Sequence, residues 1–154
     1  MEKNLEATPL TARPIIDAVN GRRTLLKYGF EFDHNGGPHL SEWGEDVADK
    51  PTGETRTVVL EYGENLTFAG MFRMLARDLS SLCLTKNQIG EFLECHNSFL
   101  RRDAPAFLLF KNNGHFFIVK AVRVGIVSVR IKIFHFEDLC EWLGRLSPRI
   151  IVPV

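Results

Sequence analysis

The sequence predicts an α+β fold: an antiparallel or mixed sheet of four to five strands packed against two amphipathic helices. Three observations carry this. Ala104 to Phe136 (APAFLLFKNNGHFFIVKAVRVGIVSVRIKIFHF) holds three apolar, β-branched and aromatic runs in succession. The dipeptide Asn113-Gly114 between the first two suits a two-residue hairpin, whose central residues both need positive φ. Two helical patterns precede these strands, and helices grouped before a hairpin-linked meander indicate α+β rather than alternating α/β.

The elements follow along the chain. Residues 1–55 are expected to form an N-terminal helical segment and an acidic flexible loop, with residues 56–154 as the main domain. Thr11 is placed to cap a short helix ending at Gly21, with Ile15, Ile16 and Val19 on one face. From Asp33 to Thr55 the chain is rich in Gly, Pro and acids without usable periodicity, as in an exposed loop. Trp43 stands alone within it and is expected to dock onto something. Arg56–Tyr62 reads as a strand. Phe68, Met71, Phe72, Leu75, Leu79 and Leu82 fall at helical spacing behind a cap at Glu64, Asn65 or Thr67. Thr85-Lys86-Asn87-Gln88 fits a capping box, in which Thr and Gln satisfy each other's orphan backbone donors. The helix it starts carries Ile89, Phe92, Leu93, Phe99 and Leu100 and is expected to end near Arg101-Arg102. Strands follow at 106–111, 115–123 and 126–136, then a short helix at 137–143 and a last strand at Arg149–Pro153.

Two-residue loops at both hairpins would place Phe107, Leu109, Phe116, Ile118, Val122, Val127, Val129, Ile131 and Ile133 on one face. A bulge near Gly125 would reverse the third strand. The opposite face would mix Phe110 and Phe117 with Arg130 and Lys132.

Composition excludes several classes. Nineteen basic and nineteen acidic residues cancel, so there is no global field for a polyanion. The distribution is uneven: seven acids and one base from Glu31 to Glu54, nine bases and four acids from Arg101 to Val154. An internal contact between the two halves is the expectation. No run approaches the ~18 apolar residues of a membrane helix. The first residues lack the apolar segment of a signal peptide. Cys83, Cys95 and Cys140 are odd in number and lack framework spacing, so free thiols in a cytoplasmic setting are expected. No phosphate-binding loop, GxSxG, HExxH or dinucleotide fingerprint occurs, and no cofactor is implied.

Candidate chemistry is sparse. Cys95 and His96 are helix neighbours whose side chains diverge by about 100°, and each cysteine reads as a small buried hydrophobe. His96 is expected half-buried with a backbone partner, and His115 and His135 as polar strand ends. Asp33, His34 and His39 match no closed metal pattern. Arg101, Arg102, Lys111, Lys120, Arg123, Arg130 and Lys132, with Phe110 or Phe117 as stacking platforms, would serve a single-stranded nucleic acid.

From Leu84 onward the chain resembles an uncharacterised protein family of small-genome candidate-phylum bacteria. The shared features are LTKNQIGEF, a His and LRRD at the helix end, FLLFKNNGHFFIV, a late Trp (Trp142) and a terminal RIIVPV. No function comes with that family. PAFLLFKNNGHFFIVKAV and FHFEDLCEWL before RIIV are also similar to papain-like bacteriocin-processing peptidases, which implies His115 at the catalytic histidine. Thr67, Phe68 and Ala69 stand where that family starts a helix with its cysteine. No acid or amide lies between Val127 and Lys132.

The reading is therefore a non-enzymatic macromolecular interaction protein with a protein partner, using Trp43 or Phe110, Phe117, Arg130 and Lys132. The alternatives are a cysteine hydrolase centred on His115 and a single-stranded nucleic-acid binder.

Overall fold

The computed structural model describes residues 7–33 and 48–154. Its strands are β1 (Thr8–Pro9), β2 (Ile15–Ile16), β3 (Glu31–Phe32), β4 (Thr55–Glu61), β5 (Ala106–Asn112), β6 (His115–Val124), β7 (Ser128–His135) and β8 (Arg149–Pro153). They form one eight-stranded sheet in the order β1-β4-β8-β5-β6-β7-β3, with β2 also on β4. β8 lies parallel to β5 and β3 parallel to β7, so the sheet is mixed. The α+β class stands. Eight strands replace the expected four to five because three two-residue strands lie at 8–9, 15–16 and 31–32. Two residues carry no alternation to read; such strands form where β4 and β7 offer unpaired backbone groups.

The meander β5–β6–β7 is antiparallel throughout. Asn113 and Gly114 have φ of 51° and 79°, and Asn112 pairs with His115 across the turn, as the Asn-Gly signal requires. The second hairpin differs from the two-residue expectation. Val124 pairs with Ser128, leaving three loop residues with Gly125 at φ 75°. This odd count carries Val129, Ile131 and Ile133 to the side of Phe117, Val119 and Ala121, away from Ile118. Ile126 and Val127 are left 85% and 73% exposed at the loop tip.

Both faces of the sheet are buried, which explains the continuous apolar runs of β5 and β6. On one face Leu108, Phe110, Phe117, Val119, Ile131 and Ile151 join Ile89, Phe92 and Leu93 of α2 (Lys86–Cys95). On the other, Phe107, Leu109, Ile118, Phe134 and Ile150 join Phe68, Met71 and Phe72 of α1 (Phe68–Phe72).

Among the described residues, one ten-residue helix and one single turn replace the expected two amphipathic helices. α2 carries the expected capping box: Gln88 N donates to Thr85 Oγ1 at 3.1 Å, and Thr85 N to Gln88 Oε1 at 2.9 Å. It stops at Cys95 and passes into a 3-10 turn over Asn97–Phe99. α1 stops at Phe72 because Tyr62 takes its exit carbonyl. The Tyr62 hydroxyl donates to Met71 O at 2.6 Å, and Leu75 N turns back to Phe72 O. Asp78 then accepts from Ser80 N at 3.0 Å and starts a 3-10 turn over Leu79–Leu82. The apolar spacing is real, yet it spans two separate turns.

The segments expected to be helical at 11–21 and 137–143 are extended or turned. Pro14 O accepts from both Thr57 N at 3.1 Å and Thr57 Oγ1 at 2.5 Å, which removes an acceptor a helix would need. Asp138 Oδ1 accepts from Cys140 N at 2.8 Å, and Trp142 exchanges both backbone bonds with Leu66.

Candidate functional site

The expected surface of Phe110, Phe117, Arg130 and Lys132 does not form as one face. Phe110 and Phe117 are 0% and 1% exposed, stack at 5.5 Å and belong to the core beneath α2. Arg130 and Lys132 point to the other side, opposite Val122 and Lys120 in the β6–β7 register. Trp43, His34 and His39 lie outside the described residues.

A basic patch does form there, from residues that sheet geometry brings together. Lys120 and Lys132 are direct cross-strand partners, and alternation puts Arg130 on the same side. The Lys132 ammonium lies 5.0 Å from the Phe134 ring centre, and that of Lys120 lies 5.4 Å from the Trp142 ring. Burial, then the like charge of Lys132, holds the Lys120 amine below its ordinary pKa. Arg130 is steadied by Glu31, with Nη2 at 2.9 Å and Nε at 3.1 Å from Oε1. That pair joins the acidic stretch to the basic third, as the uneven charge suggested. The indole N–H of Trp142 is buried and has no acceptor among the described residues. Further along the α1 side of the sheet, Lys111 lies 5.5 Å from the Phe116 ring and Arg73 lies 5.3 Å from that of Phe136.

Of the other cations named from sequence, Arg101 and Arg102 have internal partners, whereas the Arg123 Nε is buried with no acceptor among the described residues. Arg101 donates to Ser147 O and lies 3.9 Å from Glu61, and Arg102 donates to Gly125 O at 3.2 Å.

His115 and His135 line a shallow pocket of ≈ 340 Å³ with Gly114, Phe116, Phe136 and Glu137. No cysteine lines it. Cys83 is half-buried, and burial pushes its thiol up to about 12, the opposite of an activated nucleophile. Cys95 is also raised, by burial and by Glu91. Thr67 caps α1, accepting from Gly70 N at 3.2 Å. It begins the helix at the Trp142 end, next to the Leu66–Trp142 bridge, whereas Phe72 at the other end reaches Phe136. None of Thr67, Phe68 and Ala69, where the peptidases would carry their cysteine, lines the His115 pocket. His96 is half-buried and bonds Ile15 O through Nε2 at 2.9 Å, as expected. Among the described residues no group of three His, Cys, Asp or Glu side chains is placed to hold a metal.

Sequence reasoning missed two features. Lys120 and Trp142 meet only through the bridge of Trp142 to Leu66, for which the sequence carries no signal. Lys86 and Asn112, which look like solvated ends of a helix and a strand, are 1% and 4% exposed.

Comparison with protein-family models, with curated proteins and with solved structures finds no match. No helix among the described residues is long and apolar enough to cross a membrane.

Proposed function

We propose that this is a non-enzymatic binding protein that takes an acidic segment of a protein partner on the face of Lys120, Arg130 and Lys132. The observation that carries the reading is the direct opposition of Lys120 and Lys132 on an antiparallel pair. Like charges directly opposite cost stability; the Asp33 carboxylate acts against this at the Lys120 amine but is outweighed by burial and Lys132, and an arrangement held at such a cost is a functional candidate. A carboxylate placed between the two ammonium groups removes the repulsion and gains charge-assisted hydrogen bonds. The aromatic floor of Phe134 and Trp142 keeps the lysine stems in place. Three free thiols agree with a reducing, cytoplasmic setting, which belongs to the same proposal.

The test is fluorescence anisotropy with a labelled glutamate-rich peptide and a labelled oligothymidylate. Wild-type protein is expected to bind the peptide in a salt-dependent way, and the Lys120→Glu/Lys132→Glu variant to lose at least about tenfold, or ~1.4 kcal/mol. Unchanged binding in that variant would overturn the reading. Preference for the oligothymidylate would move the partner to nucleic acid. The hydrolase alternative retains a two-imidazole pocket at His115, but no thiol lines it.

A further inference from the structure

We infer that Lys86 and Asn112 are the two ends of an intramolecular isopeptide bond. Lys86 is the first residue of α2 and Asn112 the last of β5. The Lys86 ammonium donates to Asn112 Oδ1 at 2.9 Å, in a fully buried contact between residues 26 apart in sequence. On its face of β5 Asn112 follows Leu108 and Phe110, both 0% exposed, and Phe117 stacks on Phe110 from the neighbouring strand. The amine nitrogen is therefore hydrogen-bonded to the carboxamide oxygen, one bond away from the carbon it would attack, in a place from which bulk water is excluded. Elsewhere in the described chain no other lysine is this deeply buried.

The step needs no cofactor or oxidant. Lys86 Nζ hands one proton to a carboxylate and attacks Asn112 Cγ. The Nζ–Cγ bond forms. The Cγ–Nδ2 bond breaks, and a proton from the attacking nitrogen goes to Nδ2, which leaves as ammonia. Asp49 is assigned the proton transfer as the carboxylate beside the Lys86 backbone, whose N–H its Oδ2 accepts at 2.9 Å. The product fastens the start of α2 to the end of β5 with an amide that water cannot reach to hydrolyse.

Intact-mass measurement of the denatured full chain tests the inference. Wild-type protein is expected to weigh one ammonia less than its sequence, and digestion to yield a branched peptide joining Lys86 to Asn112. Lys86→Met has no amine there and is expected to show its full sequence mass, whether or not it folds. Asp49→Asn, which keeps a backbone-bonding oxygen but no proton carrier, is expected to accumulate the linked form more slowly. A wild-type mass equal to the sequence would overturn the inference. So would an ammonia loss mapped to Asn113, since an Asn-Gly turn can lose the same mass by closing a succinimide, and that loss would persist in Lys86→Met.

Discussion

Lys120 and Lys132 face each other directly across the β6–β7 pair, two like charges over an aromatic floor. Removing the Lys120 charge, which burial and Lys132 disfavour in the fold, should therefore strengthen the fold and weaken binding together. Lys120→Met is expected to raise unfolding free energy by about 0.2–1 kcal/mol, the range of a cross-strand pair. Urea denaturation read beside peptide anisotropy checks it; loss of stability with binding intact would refute the opposition as a binding device.

The same pair sets a pH dependence. Lys120 titrates below its ordinary 10.5 in the folded chain, first through burial and then through Lys132. Between that lowered pKa and 10.5, the unfolded chain keeps a proton that the folded chain has lost. Stability contributed by this group therefore rises with pH across that window. Subtracting the pH–stability curve of Lys120→Gln from that of wild type should leave a term that climbs toward pH 10.5. Cys83, whose thiol is pushed from 9.0 to about 12, acts in the opposite sense above pH 9 and is common to both proteins.

Thiol labelling should separate the three cysteines. Cys140 is exposed, Cys95 is exposed but raised by burial and Glu91, and Cys83 is half-buried and raised to about 12. Iodoacetamide near pH 7.5 is expected to react in the order Cys140, Cys95, Cys83, with mass spectrometry reporting each site. Rapid labelling of Cys83 would contradict its burial and revive a nucleophile for the hydrolase alternative.

Gly90 offers a sign test. In an open helix, glycine to alanine gains about 1 kcal/mol. Here a Cβ would meet the Tyr28 ring at 2.0 Å, and that ring is fixed by an Asn87 Nδ2 bond to its hydroxyl and by the Arg23 guanidinium 3.8 Å above it. Gly90→Ala should therefore lower the melting temperature, and Gly90→Ala/Tyr28→Ala should recover part of the loss. A stabilising single variant would mean Tyr28 does not pack there.

The capping box is testable as a pair. Thr85→Ala should cost about 0.5–2 kcal/mol. Because Thr85 and Gln88 each accept the other's backbone N–H, the double variant should cost less than the sum of the singles. Additive losses would show that the two bonds act independently.

Local chemistry was legible and long-range geometry was not. Asn113-Gly114 carries its turn type in its own φ preferences, and Thr85-Lys86-Asn87-Gln88 carries its cap in side chains three residues apart. The apolar positions of α1 were legible too, but not where it stops, because its end is decided by a hydroxyl on β4's exit, at Tyr62. Of the candidate surface, Arg130 and Lys132 could be named from sequence. Phe110 and Phe117 could not be separated from them, because the extra residue in the Gly125 loop alone decides which way β7 faces.

What the sequence determined by itself was the strand content of the last third, the first hairpin, the helix cap and the α+β class, all of which rest on residues close together along the chain. Tertiary structure alone decided the edge strands, the β7 face, the opposition of Lys120 to Lys132 and the burial of Lys86 on Asn112. Each of these depends on which backbone donors, carbonyls and apolar faces remain unsatisfied once the sheet has assembled, and no local window of residues contains that information.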